Sequence, residues 1–472
     1  MKRIAFRCDG DDRLGAGHVA RCLRLAAAME RRGALCELVG SYAGAAAELV
    51  QAAGIANRPA EAGSPAGWPP GVDALVVDSY ELPHAEVQAA GRELPVAAVV
   101  DGDAAPDGVA VLSYHPDAAS RLPSARGPRG PDYAPLDPRC AAARGARGSR
   151  RVLVTAGGGE AGNAALAAAI EALGSEHELF VAARTRPLEA PEGIAWGWQE
   201  GGLAERLAWA DLAVSAAGST AYELACAGVP ALCVVVADNQ LQVAQALGAG
   251  GMAVALDGRR GIDAGVVGRA WQAVLARQAE LAAVGPATFD GYGAFRAADG
   301  LLAAFDGREP EPPLRYRPAS RHDSEILLRW RNDPEVRAAS HSQAEISAAE
   351  HEAWLASVLG DPDRTLLVVE AAGRPVGTVR FDRHPECAVI SVTIAPGDRG
   401  RGLGSRVIAE ASELYLSSRP DVVLLHAEIR ENNRASVAAF ERAGYVAADG
   451  SATAGSRLLA YTHPDQATAR TG

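Results

Sequence analysis

A histidine within a glycine-rich turn is the first residue of the chain whose surroundings could support catalysis. Arg7 and Asp9 end the first apolar run, the next loop reads GAGH up to His18, and Arg21 follows one helical turn later. Glycines such as Gly17 let the backbone turn sharply and present helix N-terminal amides to an anion. Because a helix N-terminus disfavours a protonated side chain, we expect His18 to be neutral and able to act as a base. A helix-capping histidine is the other interpretation open at this point.

A second turn, later in the chain, could also bind an anion. An apolar run leads into Gly218, Ser219 and Thr220 at a predicted helix start, with Glu223 one turn later. Backbone amides and hydroxyls can bind a diphosphate there, and the Glu223 carboxylate can accept hydrogen bonds from ribose hydroxyls. Many helices begin with such residues, so this turn on its own is a weak indication.

A third glycine-rich turn lies in the last third of the chain. A predicted strand ends at Ile394, the turn reads Arg399-Gly400-Arg401-Gly402-Leu403-Gly404, and an amphipathic helix follows. Successive N–H groups in such a turn can bind a pyrophosphate. The turn lacks the GxGxxG spacing of a dinucleotide-binding loop, and a turn without any ligand is the alternative.

The elements around these turns predict three domains. Short apolar runs alternate with amphipathic stretches up to residue 305, a pattern typical of doubly wound α/β lobes. After a Pro-rich linker the pattern changes to a mixed α+β domain. We predict these limits: lobes at residues 1–145 and 146–305, a linker at 306–313, the α+β domain at 314–462 and a tail at 463–472.

Acidic residues follow two of the predicted buried strands of the first lobe. Asp78 ends one run, and Asp101 and Asp103 follow the next. Carboxylates at strand ends often cap helices or hold loops, and for Asp101 and Asp103 we prefer that structural interpretation.

Composition excludes several classes of function. A net charge of -12 argues against a general nucleic-acid or membrane-surface role. The seven cysteines are dispersed without metal-ligand spacing, which favours a reduced, cytoplasmic protein. No signal peptide is evident, no apolar run approaches the roughly 18 residues of a membrane span, and we expect no metal. The oligomeric state stays open.

The first 300 residues carry a set of motifs that resembles a known family. FRCD with GAGHVARCLRLA, VVDSY, GPDYAPL and ADLAVSAAGSTAYELACAGVPALCVVVADNQ together resemble the UDP-sugar hydrolase of pseudaminic acid biosynthesis, a relative of MurG-type glycosyltransferases of GT-B fold. The resemblance implies that His18 activates water and that Tyr80 and Asp9 line the sugar site. It also implies that these residues face the nucleotide sugar: Gly218, Ser219, Thr220, Glu223, Asn239 and Gln240. To the predicted substrate-binding residues we add Arg7, Gly17 and Arg21.

The chemistry implied by this resemblance needs few groups. UDP is already an acidic leaving group, so no strong general acid is required, in contrast to glycosidases with paired carboxylates. One base for water and electrostatic stabilisation of the departing diphosphate are sufficient.

The C-terminal motifs resemble the GNAT acetyltransferases. RGRGLG after a strand, followed by EIRENNRASVAAFERAGYV, carries this resemblance over residues 314–462. It implies that the glycine-rich turn binds the acetyl-CoA pyrophosphate and that the strand ending at Ile394 pairs with the pantetheine arm. Asn433 is implied to contact the same arm.

One position departs from the GNAT pattern. Many of these enzymes have a tyrosine that protonates the departing thiolate where this chain has Phe440. Tyr445 or Tyr461 could replace it, or water could, because a thiol with a pKa of about 8.5 leaves readily. Glu428 is a candidate for accepting the amine proton through water, with a solvent-facing strand residue as the alternative.

RWRNDP at residues 329–334 and the ENN run also resemble the N-acetyltransferase of the pseudaminic acid pathway, which acetylates the 4-amino group of a UDP-sugar. The sequence therefore predicts a bifunctional nucleotide-sugar enzyme whose ligands are a UDP-sugar and acetyl-CoA. Two alternatives stay open. The first is a MurG-like glycosyltransferase fused to a GNAT domain with a different acceptor. The second is a non-catalytic nucleotide-sugar-binding module serving the acetyltransferase.

Overall fold

A computed structural model describes most of the chain, in two compact units, Met1–Glu311 and Pro312–Gly472. The described residues are 1–11, 14–60, 68–102, 104–145, 147–155, 162–174, 176–183, 194–197, 202–309, 311–340, 342–385, 387–448 and 455–462. The division between the units falls within the predicted linker. Asp103 and the predicted tail at 463–472 lie outside the described residues.

The first lobe is built on a parallel sheet of six strands in the order β3-β2-β1-β4-β5-β6. The strands are β1 Arg3–Cys8, β2 Leu35–Gly40, β3 Ala56–Pro59, β4 Ala74–Asp78, β5 Val96–Val99 and β6 Ala110–Leu112. The helices are α1 Gly17–Glu30, α2 Gly44–Ala53, α3 His84–Ala90 and α4 Ala118–Arg121. This is a doubly wound sheet whose order reverses between β1 and β4, and ligands bind such sheets at the carboxyl ends of those strands.

The second lobe repeats this winding, with strand order β12-β11-β10-β7-β8-β9, all parallel. The strands are β7 Arg151–Thr155, β8 Glu178–Ala182, β9 Ala195–Gly197, β10 Leu212–Ala216, β11 Ala231–Val235 and β12 Val254–Asp257. The helices are α5 Arg139–Ala142, α6 Asn163–Leu173, α7 Gly202–Trp209, α8 Ser219–Ala227, α9 Leu241–Ala249, α10 Ala264–Ala276 and α11 Gln278–Thr288. The order reverses between β7 and β10, so the prediction of two Rossmann-like lobes is confirmed.

The last helix of this unit returns to the first lobe. Helix α12, Gly293–Phe305, packs against α1 and β6, and Arg32 forms an ion pair with Asp299 at 2.7 Å. A boundary drawn by chain order places α12 in the second lobe, whereas its contacts lie in the first. The segment between the two lobes is anchored to the second lobe, because Arg147 donates hydrogen bonds to the carbonyl oxygens of Leu207 and Ala210.

The C-terminal unit has a sheet of seven strands in the order β13-β14-β15-β16-β17-β19-β18. The strands are β13 Leu314–Pro318, β14 Arg364–Ala371, β15 Arg374–Arg383, β16 Cys387–Ile394, β17 Leu424–Arg430, β18 Val446–Ala447 and β19 Ser456–Thr462. The helices are α13 Ser324–Arg331, α14 Pro334–Ala339, α15 Ala348–Gly360, α16 Leu403–Ser418 and α17 Arg434–Arg442. All neighbouring strands of the sheet are antiparallel except β16 and β17, which are parallel. This mostly antiparallel sheet with helices confirms the predicted α+β domain.

The parallel pair is short. Only Cys387–Val389 of β16 pair with Leu424–His426 of β17, and the pairing stops although both strands continue. Beyond Val389, the edge of β16 that faces β17 has no strand partner among the described residues. Nowhere in the described part of the chain is a helix long and apolar enough to span a membrane.

Candidate functional sites

A cavity of about 450 Å³ lies between the two lobes of the N-terminal unit, at the strand ends where both sheets reverse their order. Most residues predicted to bind substrate line it: Gly17, His18, Arg21, Tyr80, Gly218, Ser219, Thr220, Glu223, Asn239 and Gln240. Residues of both lobes that we did not predict also line it: Arg24, Asp101, Tyr114, Asp137, Arg139 and Arg206.

His18 is held at the start of α1 by a carboxylate from a neighbouring strand. Its Nδ1 lies 2.5 Å from Oδ1 of Asp78, the last residue of β4. Tyr80 packs edge-on against the imidazole, with ring centroids 4.6 Å apart. An imidazole whose Nδ1–H donates to a carboxylate keeps Nε2 as the nitrogen able to accept a proton. The pair therefore has the arrangement of a general base with its orienting group.

Arg21 lies between two carboxylates rather than free in the cavity. Its Nη2 donates to Asp78 at 2.5 Å, and its Nη1 donates to Asp101 at 3.0 Å. Burial alone would raise the pKa of Asp101, but the Arg21 guanidinium keeps it well below its usual value. Asp101 also accepts a hydrogen bond from the Tyr80 hydroxyl. Asp101 therefore belongs to the charge network of the cavity, in contrast to the structural role that we preferred for it.

Two helix starts meet at the cavity. The residues before the two helices, Ala16 before α1 and Gly218 before α8, have no polar side chain that could cap the helix. A Cβ atom on Gly17 would lie 3.4 Å from the Ser219 hydroxyl oxygen, so the two termini are close together. The N–H groups of a helix's first turn have no partner within the helix. An anion between these termini can accept hydrogen bonds from both lobes.

The predicted ribose-binding carboxylate is paired within the protein. Glu223 is buried and accepts a hydrogen bond from Arg24 of the first lobe at 2.5 Å. Burial raises its pKa, and the Arg24 guanidinium offsets only part of that increase. Gln240 accepts a hydrogen bond from the backbone N–H of Val236 at 3.0 Å, which fixes its amide at the cavity wall.

Arg7 and Asp9 are placed away from this cavity. Both are buried, Arg7 Nη1 donates to Asp9 Oδ1 at 2.6 Å, and neither is among the lining residues. Asp9 also accepts a hydrogen bond from the backbone N–H of Ser41. The ion pair stabilises the loop after β1, and a direct contact of either residue with substrate stays a prediction.

In the C-terminal unit, the predicted pyrophosphate turn connects β16 to α16. Gly400 and Gly402 have φ angles of 78° and 80°, in the left-handed region that favours glycine. No side chain caps α16 at its first turn, which leaves backbone N–H groups for a ligand. The turn follows β16, whose edge beyond Val389 is likewise without a strand partner among the described residues.

The charged residues of this turn differ in their availability. Arg399 Nη1 donates to Asp333 at 2.9 Å and to Glu335 at 2.7 Å, and its Nε donates to the Ile394 carbonyl oxygen. The ion pairs of Arg399 therefore stabilise the turn. The Arg401 side chain, in contrast, is exposed. The side-chain Oδ1 of Asn433 caps α17 by accepting a hydrogen bond from the Ser436 N–H, so the side-chain NH₂ group of Asn433 is the part suited to a ligand.

The candidate acid and base residues of the acetyltransferase lie in contrasting environments. Phe440 and Tyr445 are buried and pack at right angles, and the Tyr445 hydroxyl forms a hydrogen bond of 2.7 Å with Ser412. Burial raises the pKa of the Tyr445 hydroxyl. Tyr461 stacks on Tyr445, and Glu428 is exposed on β17.

A second cavity, of about 370 Å³, lies in the C-terminal unit between the sheet and helices α13 and α15. Its sheet wall consists of Leu366 of β14, Thr378 and Arg380 of β15, and the cross-strand partners of the last two, Thr393 and Ser391 of β16. Side chains alternate between the two faces of a strand, so Ile394 points to the face opposite to that of Thr393. The Ile394 side chain is near Gly404 of α16. The cavity and the glycine-rich turn therefore lie on opposite faces of β16.

The RWRNDP segment builds the helical side of this cavity. Trp330 and Arg331 line it, and the Asn332 amide is hydrogen bonded to both backbone groups of Ile346, another lining residue. Asp333 caps α14 and binds Arg399 of the glycine-rich turn. The segment thus connects the cavity wall to the turn. Among the described residues, no cluster of His, Cys, Asp or Glu could hold a metal ion.

Comparison with known proteins identifies the C-terminal unit. The profile of the acetyltransferase (GNAT) domain matches residues 314–446. Similar solved structures include an aminoglycoside acetyltransferase, AAC(6')-Ib, in complex with coenzyme A, with 20% identity, coverage of 34% of this chain and 99% of its own, and a TM-score of 0.30. Another is spermidine N-acetyltransferase from Vibrio cholerae with CoA and spermine, at 18% identity, 32% and 95% coverage and a TM-score of 0.28. No curated protein sequence matches the chain.

Proposed function

We propose, on the premise that residues 314–446 form a GNAT acetyltransferase domain with acetyl-CoA as co-substrate, that the chain carries two activities on one nucleotide sugar. The C-terminal unit acetylates the 4-amino group of a UDP-sugar. The N-terminal unit, a two-lobed GT-B enzyme, then hydrolyses UDP-2,4-diacetamido-2,4,6-trideoxy-β-L-altropyranose to the free sugar and UDP, as in pseudaminic acid biosynthesis. We place both reactions in the cytoplasm, because the dispersed cysteines favour a reducing compartment.

In the acetyl transfer, the amine nitrogen attacks the thioester carbonyl carbon of acetyl-CoA. The carbon–sulfur bond breaks, and the electron pair leaves on the CoA sulfur. The amine proton passes to water or, through water, to Glu428. The observation that supports this geometry is the edge of β16 beyond Val389, where backbone groups can pair with the extended pantetheine arm.

In the hydrolysis, a water oxygen attacks the anomeric carbon while Nε2 of His18 accepts the water proton. The bond from the anomeric carbon to the diphosphate oxygen breaks, and its electron pair leaves with UDP. The helix starts at Gly17 and Ser219 stabilise the negative charge that develops on the diphosphate. The pairing of His18 with Asp78 at 2.5 Å inside the cavity carries this proposal.

The test of the hydrolase is release of UDP from the purified sugar nucleotide with no acceptor other than water. Using water labelled with heavy oxygen, we expect the label in the free sugar and not in UDP, because the carbon–oxygen bond breaks. UDP release that requires an added sugar or lipid acceptor would instead establish the glycosyltransferase. No release under either condition would establish a binding module.

Substitution of the orienting carboxylate should reduce hydrolysis without unfolding the unit. In Asp78→Asn, the amide can no longer hold the His18 tautomer in which Nε2 accepts a proton, and we expect UDP release to fall by about 10² or more. The control is Asp73→Asn, an exposed position on the same chain segment. Because the substitution also removes one carboxylate partner of Arg21, circular dichroism must show that the Asp78→Asn variant is folded. A folded variant with wild-type UDP release would exclude Asp78 as the orienting group.

The acetyltransferase should not depend on the Tyr445 hydroxyl. Because this group is buried and hydrogen bonded to Ser412, we expect Tyr445→Phe to change the rate of acetyl transfer little. Phe440→Tyr should leave the rate unchanged or raise it modestly, since it restores a donor where water suffices. Thiolate release measured with a chromogenic disulfide checks both variants. A large loss in folded Tyr445→Phe would show that Tyr445 is the acid.

A further inference from the structure

A histidine lies at the point where the sheet of the C-terminal unit opens between β16 and β17. Val389 and His426 are the last paired residues of the two strands, and both strands continue beyond them. The glycine-rich turn follows the other end of β16, after Ile394. The strand from Val389 to Ile394 is roughly 17 Å long, a length that an extended pantetheine arm can span. An acetyl-CoA bound at the turn and along β16 therefore directs its thioester toward His426.

The His426 side chain lies on the same face of the sheet as the second cavity. Side chains alternate along a strand, and residues paired across two strands point to the same face. Val389 has the orientation of Ser391, which lines the cavity, so its partner His426 shares that face. Further along this face of β17, Arg430 donates a hydrogen bond to the carbonyl oxygen of Ser340, which follows α14. The imidazole is therefore on the side from which an amine in the cavity would approach the thioester.

The imidazole of His426 is in a state suited to accepting a proton. Its Nδ1 is buried and has no hydrogen-bond partner among the described residues. Burial lowers the pKa of His426, and the nearby His384 lowers it further. Both effects disfavour the charged form, so the ring is neutral at neutral pH and one of its nitrogens has a free electron pair. A buried polar atom without a partner is uncommon in proteins, and a catalytic role is one of the ordinary reasons for it.

We propose that His426 is the general base of the acetyl transfer and receives the proton of the attacking amine, directly or through one water molecule. The inference rests on the acetyltransferase function proposed above, and it places His426 ahead of water and of the exposed Glu428 as the proton acceptor. The amine nitrogen bonds to the thioester carbonyl carbon and loses its proton to the free ring nitrogen of His426. The carbon–sulfur bond breaks with its electron pair on sulfur, and the imidazolium returns the proton to the thiolate or to solvent. A base acts best when its pKa is near the working pH, which favours an imidazole over an exposed carboxylate.

The test compares His426→Ala with the matched variant His322→Ala, an exposed histidine of the same unit. Acetyl transfer to the UDP-linked 4-amino sugar is measured as thiolate release in the full-length protein. We expect His426→Ala to lower kcat by about 10² or more, as for the loss of a general base, with Kd for acetyl-CoA unchanged. Added imidazole should restore part of the rate of His426→Ala, because it can occupy the space left by the side chain, and should not change that of His322→Ala. A residue with a structural role alone would not show this rescue.

Equal kcat values in the two alanine variants would overturn the inference, as would a loss in folded His426→Ala that imidazole does not restore. A larger loss in Glu428→Gln than in His426→Ala would assign the base to Glu428 instead. If the wild type acetylates glucosamine or spermidine but not the UDP-linked sugar, the proposed function fails, and the same comparison made with that amine decides the role of His426. If the wild type acetylates none of these amines, both fail.

Discussion

Replacing His18 with alanine should lower UDP release by about 10²–10⁴, the usual contribution of a general base. The structure gives a specific reason for this size. His18 is the imidazole of the cavity, Asp78 holds its Nδ1, and the nearby Arg21 cannot serve as a base because it stays protonated. Acetyl transfer should be unchanged, because the residues of that site lie in the other compact unit. A coupled assay for UDP, run beside thiolate release, measures both activities.

The matched control is His84→Ala, an exposed histidine at the start of α3. Both variants remove one imidazole from the first residues of a helix in the same lobe. If the rates of UDP release by His18→Ala and His84→Ala differ by no more than a few fold, His18 is not the general base. The binding of UDP, measured by calorimetry, should be similar in both variants, since we propose that the helix-start amides, and not the imidazole, bind the diphosphate.

Gly402→Val should abolish most of the acetyl-CoA affinity and leave UDP release intact. Gly402 has φ of 80°, and an L-residue there costs about 1–2 kcal/mol, more when β-branched. A Cβ at Gly402 would meet no protein atom within 4 Å, so its side chain would occupy open space in front of the turn, the proposed position of the pyrophosphate. Strain and obstruction together should weaken acetyl-CoA binding at least tenfold, since about 1.4 kcal/mol corresponds to a factor of ten.

Gly397→Val is the control, because Gly397 precedes the same turn, has no left-handed φ and also has open space around it. Gly404→Val should have a smaller effect than Gly402→Val. The φ of Gly404 is not in the left-handed region, and a Cβ there would make ordinary contacts of 3.7 Å with Ile394 and 4.0 Å with Ala439. Loss of both activities in Gly402→Val would mean that the two units do not fold independently.

Local patterns were sufficient to predict several of the buried strands and the three glycine-rich turns of this chain. The apolar run Ala74 to Val77, ending in Asp78, predicted a buried parallel strand, and β4 is buried along its whole length. His18 was predicted because its glycine-rich turn is contiguous in sequence. The positive φ of Gly402 follows from the same kind of local signal.

Partners distant in sequence were not predicted, because nothing in a local pattern specifies them. Asp78 could not be assigned to His18, 60 positions away, although acidic residues at the ends of the adjacent strands β4 and β5 were a usable signal. Asp101 was interpreted as a loop residue for the same reason. Arg399 was assigned to a pyrophosphate by its motif, whereas Asp333 and Glu335 engage its charge.

The packing partners of the helices could not be predicted from the sequence either. By chain order, residues 293–305 fall in the predicted second lobe, because a local pattern does not specify which lobe covers an apolar face. The structure shows that α12 packs against α1. The pairing of Arg24 with Glu223 likewise depends on how the lobes meet.

We propose above all that one chain acetylates a UDP-linked 4-amino sugar and then releases UDP from the product. Mass spectrometry of the products formed from UDP-4-amino-4,6-dideoxy-AltNAc tests it most directly. With acetyl-CoA and water labelled with heavy oxygen, we predict the free diacetamido sugar carrying both the new acetyl group and the label, together with unlabelled UDP. An acetylated sugar nucleotide that accumulates without UDP release, or UDP release with no acetylated product, would contradict the claim.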